Sequence, residues 1–206
     1  MRSPGYISRM AEGTEIETAR EPLTLAEIDP AAGFWIFAYG SLMWNPGFAA
    51  AERRLARLTG YRRTFCMASI VYRGTPEAPG LVLALDRHDG AACSGVAYRI
   101  AGGNGAQALA YLRARELVSA AYQEVIEEIE TETGDREPAL CYVVDPAHRQ
   151  YRGGLSPGAQ AEVIARAAGP AGSNREYLEN TVRSLRGLGL EDADLFALAD
   201  RVRGLP

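Results

Sequence analysis

The 206 residues carry 47% hydrophobic and 23% charged side chains, the balance of a soluble globular protein with one substantial core. A formal net charge of −4 argues against nucleic acid as a partner, and no apolar run approaches membrane-spanning length. All 22 basic residues are arginine, which removes any Schiff-base, phosphate-loop or general-base lysine. Residues 1–32 are polar, with scattered Gly, Pro and Glu and no strong period, and read as an extension preceding a single domain over 33–206. Phe34 to Tyr39 is an unbroken apolar run, the pattern of a strand buried on both faces. It stops at Gly40-Ser41, followed by the loop residues Trp44, Asn45 and Pro46. A rigid strand ending in a glycine loop can aim its N–H groups at a carboxylate or a developing oxyanion. Spacing alone equally admits a core strand with an ordinary turn.

Gly60 to Tyr72 is rich in aromatic and β-branched residues and reads as a strand; Arg73 to Gly80 is a loop. Leu81 to Asp86 and Ala91 to Ile100 flank Arg87-His88-Asp89-Gly90, a hairpin signal that makes His88 a solvated turn residue. Ala106 to Leu117 consists of strong helix formers. Leu109 and Leu112 share one face of it, and Glu116 falls on the same stripe where the pattern expects a leucine. Burial and the helix C-terminus would both raise that carboxylate's pKa, as suits a general base near neutrality. The pattern equally admits a frayed helix end with Glu116 in water or paired to an arginine. Tyr122 to Glu132 alternates imperfectly, and a strand is preferred to a helix because the turn 133–138 and a buried strand, Ala139 to Val144, follow.

The remainder is helical. Ser156-Pro157 caps one helix running to about Ala168, and Gly169-Pro170-Ala171-Gly172 breaks it. Ser173-Asn174-Arg175-Glu176 has the form of a capping box for a second helix, and Asp192 to Arg203 forms a third. Strands followed by helices without βαβ alternation indicate an α+β fold. Cys66, Cys93 and Cys141 form no close pair, which points to reduced thiols and, with no apolar leader at the N-terminus, to the cytoplasm. His88 and His148 lie far apart in sequence, so no familiar metal spacing exists and neither metal nor cofactor is expected. Carboxylates and tyrosines remain for acid–base work.

The run Phe37-Ala38-Tyr39-Gly40-Ser41-Leu42-Met43-Trp44-Asn45-Pro46 resembles the signature of the ChaC-type γ-glutamylcyclotransferases. Arg73 to Gly80, Gly95 to Arg99 and Gly169 to Leu178 are similar to further family motifs in the family's order. The resemblance implies a small mixed β-barrel flanked by helices, with no cofactor and no membrane. It implies that glutathione is closed to 5-oxoproline with release of Cys-Gly. Glu116, ending an Arg-Glu dipeptide, is implied as the acid–base group, with Tyr39, Gly40, Ser41, Leu42 and Tyr122 binding substrate. Two departures concern specificity: Ala120-Ala121 stands where the family has Gly-Gly, and Leu81 where it has arginine. Other γ-glutamyl amines or dipeptides are the alternative substrates, and a non-catalytic γ-glutamyl-binding module is the alternative role.

Overall fold

The structure, a computed structural model, describes residues 28–206. Five strands close into a mixed barrel: β1 (Phe34–Ala38), β2 (Glu52–Ser69), β3 (Gly80–Ile100), β4 (Tyr122–Thr131) and β5 (Arg136–Val144), in the order β1-β3-β2-β4-β5. Every residue of β1 is buried, because one face looks into the barrel and the other is covered from outside. β1 runs antiparallel to β3, from Phe34 opposite Ile100 to Ala38 opposite Val96, and parallel to β5 at Trp35 and Ile36. The β1–β5 pairing closes the ring, and Leu85 of β3 makes an additional parallel pair with Val143 of β5. Of the polar extension, residues 1–27 lie outside the described part; Ile28 packs half-buried against the core.

The hairpin expected between Leu81 and Ile100 is not formed. Gly80–Ile100 is one long strand, and its partner along its length is β2. Tyr61 pairs with Arg87 and Thr59 with Ala92, so His88 to Ala91 bulge out opposite Gly60 alone. The local signal was sound, since Gly90 has φ +77° and Gly60 φ +83°. What overrides it is the length of β2, which begins at Glu52 and pairs on both sides of the bulge. That early stretch is rich in arginine and looks polar, yet Ala56 and Leu58 face inward while Arg57 faces out. β2 also stops at Ser69, short of Tyr72, leaving Val71 and Tyr72 exposed in the connection to β3.

Helix α1 (Gly102–Glu116) starts four residues before the predicted Ala106 and buries Ala108, Leu109 and Leu112. The other helices are α2 (Pro157–Arg166), α3 (Asn174–Gly187) and α4 (Ala193–Arg203). Ser156 Oγ accepts the Ala159 N–H at 3.3 Å, and Asp192 Oδ1 accepts that of Leu195 at 3.0 Å, so both helices are capped as their sequences require. The capping box of α3 is only half made. Ser173 Oγ accepts the Glu176 N–H at 3.1 Å, but the Glu176 carboxylate pairs with Arg73 at 3.1 Å instead of returning to the cap. The paired segments β6 (Ala168–Gly169) and β7 (Gly172–Ser173) form the break before α3. No helix among the described residues is long and apolar enough to cross a membrane.

Candidate active site

The site begins where β1 leaves the barrel. Tyr39 is buried and tied at both polar groups: its hydroxyl donates to the Tyr142 carbonyl at 2.9 Å, and its carbonyl accepts from Arg63 at 2.9 Å. Arg63, itself buried, is held by Asp192 at 2.8 Å and by the Ser94 carbonyl at 3.1 Å, so α4 and β3 together brace the strand end. After Gly40, Ser41–Met43 make one turn of 3-10 helix, with the Met43 N–H bonded to the Gly40 carbonyl. The preceding N–H groups of Gly40, Ser41 and Leu42 have no acceptor among the described residues, as the first donors of a helical turn do not. Gly40 has φ −127°, so left-handed freedom is not what glycine supplies here. A Cβ at this position would stand 3.2 Å from the Tyr177 hydroxyl, so glycine keeps the space over the turn open.

Helix α1 delivers a carboxylate to this turn. Its apolar stripe of Leu109 and Leu112 packs on the barrel, and Glu116, one turn further, is carried into the same half-buried environment with its side chain 16% exposed. Burial raises the Glu116 pKa, and the Arg115 guanidinium, 3.1 Å away, opposes that rise. Arg115 also donates to Ser41 Oγ at 2.8 Å, to the Asn45 carbonyl at 2.6 Å and to the Tyr111 hydroxyl at 2.9 Å. One guanidinium therefore fastens the end of α1 to the glycine turn and sets the distance between base and donors.

Tyrosines complete the wall. Between Thr64–Ala84 and Met67–Val82 the β2–β3 register slips. Leu83, in that irregular stretch, accepts the Tyr122 hydroxyl at its carbonyl, at 2.7 Å. Tyr177 of α3 is clamped edge-on by Trp44 and Phe65, with Arg73 over its face at 5.5 Å. Burial raises the pKa of Tyr39, Tyr122 and Tyr177, and the Glu116 charge pushes each in the same direction. All three remain neutral hydroxyls at physiological pH. They surround a cavity of about 380 Å³ whose lining also includes Gly40, Ser41, Leu42, Arg115, Glu116 and Tyr142.

Tyr39, Gly40, Ser41, Leu42, Glu116 and Tyr122, singled out from the sequence, are thus all brought to one cavity. Tyr177, Tyr142, Arg115 and Gln150 also line it and were not singled out. Tyr177 lies within the Gly169 to Leu178 motif and Arg115 in the Arg-Glu dipeptide, but neither carries a periodicity signal that separates it from an ordinary surface or core residue. Leu81 does not hold substrate end groups: it is buried, and its N–H and carbonyl are both bonded by the Asn174 side chain at 2.6 Å. Ala120 and Ala121 lie between the lining residues Ser119 and Tyr122; Ala120 is exposed at φ +55° and Ala121 is fully buried. The three cysteines are buried, unpaired thiols, with burial raising Cys66 to about 12 and Cys93 to about 11.

A protein-family model described as "ChaC-like protein" matches residues 34–205. The chain is 36% identical over 171 residues to the glutathione-specific γ-glutamylcyclotransferase of Escherichia coli (strain K12), covering 83% of this chain and 73% of that protein. It is 36% identical over 180 residues to glutathione-specific γ-glutamylcyclotransferase 1 of Homo sapiens, covering 84% of this chain and 80% of that one. In fold it is similar to the crystal structure of a γ-glutamyl cyclotransferase specific to glutathione from yeast. That match has a TM-score of 0.78 at 24% identity and covers 84% of this chain and 96% of the yeast chain.

Proposed function

The chain belongs to the ChaC-like family, and from that premise we propose that it is a γ-glutamylcyclotransferase converting glutathione to 5-oxoproline and Cys-Gly. The observation that supports this reading most directly is the convergence, in one cavity, of a buried carboxylate with a raised pKa and a turn with free N–H groups.

The α-amine and γ-carbonyl of a γ-glutamyl compound belong to one molecule, so ring closure needs folding of the substrate and proton transfer. The ammonium cannot attack until it loses a proton, and Glu116 takes it. The amine nitrogen then bonds to the γ-carbonyl carbon, and negative charge gathers on the carbonyl oxygen as its double bond opens. The N–H groups of Gly40, Ser41 and Leu42 bind the substrate α-carboxylate or that oxyanion; one such donor contributes about 3 kcal/mol to the barrier reduction. Glu116 returns its proton to the γ-amide nitrogen as the C–N bond breaks, then takes the second proton from the ring nitrogen, leaving the lactam N–H, and passes it to the amine of the departing Cys-Gly. Tyr122 has spent its own proton on Leu83 and so offers oxygen lone pairs to the substrate ammonium. Tyr39 forms wall only, because its hydroxyl donates to the Tyr142 carbonyl and also accepts the Leu85 backbone N–H, so it has nothing left to offer the substrate.

We also take residues 33–206 as one domain and the cytoplasm as its compartment, the latter in keeping with three unpaired thiols. Incubation of the purified protein with glutathione tests the function: 5-oxoproline and Cys-Gly should appear in equal amounts. Failure to form 5-oxoproline would overturn it.

A further inference from the structure

We propose that Gln150 reads the leaving dipeptide, its side-chain carbonyl accepting a hydrogen bond from the peptide N–H that joins cysteine to glycine in glutathione. This rests on the function proposed above and adds a recognition element to it.

Gln150 lines the cavity and is 5% exposed. Its orientation is held by its surroundings. The Gln150 carbonyl accepts the Ala68 N–H at 2.8 Å, and its Nε2 donates back to the Ala68 carbonyl at 2.7 Å. The Gln150 N–H is taken by His148 Nδ1 at 3.2 Å. With the nitrogen committed, Oε1 is the atom left over. Alone among the buried side-chain nitrogens and oxygens of the described residues, it has no hydrogen-bond partner. A buried acceptor without a donor carries its full desolvation cost and calls for an explanation, which a substrate N–H supplies here.

The position suits the departing half of the substrate. Leu83, next to Tyr122 and 3.9 Å from where a Gly40 Cβ would lie, marks the γ-glutamyl end of the cavity. Ala68, which carries Gln150, pairs with Leu81, two residues along β3, an offset of about 7 Å at the usual strand rise. The Cys–Gly nitrogen lies about 5 Å from the γ-carbonyl carbon in an extended chain, and a hydrogen bond of about 2.9 Å spans the rest. An amide oxygen accepts only, so it selects a donor. The scissile nitrogen must stay available to Glu116, and a thiol donates weakly, which leaves the Cys–Gly N–H.

The test compares glutathione with the depsipeptide in which glycolate replaces glycine, so that an ester oxygen stands where that N–H was. The scissile bond is untouched and 5-oxoproline reports both reactions. In the wild-type protein kcat/KM should fall at least about tenfold for the ester, since a hydrogen-bonding site rejects the analogue that leaves its acceptor unpaired. Gln150→Leu and Gln150→Met should handle the two substrates within about twofold of each other. Two variants are used because either could lose the bond to Ala68 and melt; a ratio of substrates on one folded protein is insensitive to that loss. Equal use of both substrates by the wild type, or an unchanged ratio in the folded variants, would overturn the inference. Failure of the function reading would show separately, as no 5-oxoproline from either substrate.

Discussion

Ala120 offers a perturbation whose sign follows from backbone geometry alone. It is the only non-glycine residue with positive φ among the described residues, at φ +55°. An L-residue in the left-handed region costs about 1–2 kcal/mol through the clash of Cβ with the following carbonyl. Glycine removes that cost but loses about 0.5–1 kcal/mol more conformational entropy on folding. Ala120 is exposed, so deleting its methyl opens no cavity. Ala120→Gly should therefore stabilise the protein by about 0.7 kcal/mol, raising Tm by about 1–3 °C for a chain of this size. The adjacent Ala121 is the control. It is fully buried in a small cluster with Cys66, Met67, Ala84 and Val144. Ala121→Gly loses about 0.8 kcal/mol of buried methyl plus the same entropy, and should destabilise by about 1.5 kcal/mol. Calorimetric melting and urea midpoints at unchanged m-value would measure both. If Ala120→Gly lowered Tm, or the two neighbours shifted it in the same direction, the left-handed conformation assigned to Ala120 would be wrong.

Glu116→Gln conserves shape and removes the titrating group, so 5-oxoproline formation should fall by at least about 100-fold while the melting curve stays cooperative; retention of a tenth of wild-type turnover would contradict the base assignment. Gly40→Val should keep its fold, at an overpacking cost of about 1–3 kcal/mol, and lose substrate binding, because its Cβ stands 3.2 Å from the Tyr177 hydroxyl and its methyls enter the cavity; a folded variant with normal turnover would show that the turn is not the substrate site. The pH profile of kcat/KM should rise with deprotonation of Glu116 at a pH above the ordinary carboxylate range, and Arg115→Met should move that limb further up, since Arg115 is the group holding the pKa down; an unmoved limb would mean that another group sets it. For stability the sign is opposite. Folded Glu116 keeps its proton to higher pH than unfolded Glu116, so its contribution is present below the unfolded pKa and lost as pH rises through the folded one. Glu116→Gln should accordingly gain stability relative to wild type on going from acid to neutral pH, a trend that urea titrations at several pH values would check.

Much of this protein was determined by local sequence. An all-apolar run from Phe34 to Tyr39, short and stopped by Gly40-Ser41, reads as a strand covered on both sides with a turn at its end, and Phe34–Ala38 is that strand. The helical stripe Leu109, Leu112, Glu116 carries a carboxylate inward because residues three and four apart share a face. Ser156, Ser173 and Asp192 mark helix starts through hydrogen bonds within a few residues. Tertiary structure decided what depends on partners distant in the chain. Gly90 sits in a bulge and not at a hairpin tip, because β2 is long enough to pair beyond it. Glu176 leaves its cap for Arg73, about a hundred positions away, and Asn174 spends its amide on the backbone of Leu81. Arg115 joins the glycine turn, Tyr177 reaches over from α3, and Gln150 lines the cavity with its side-chain oxygen buried and unmet, none of which leaves a mark in residue spacing. Periodicity reports which face of an element is buried; only the closure of the barrel brings the ends of β1, α1 and α3 to the same place.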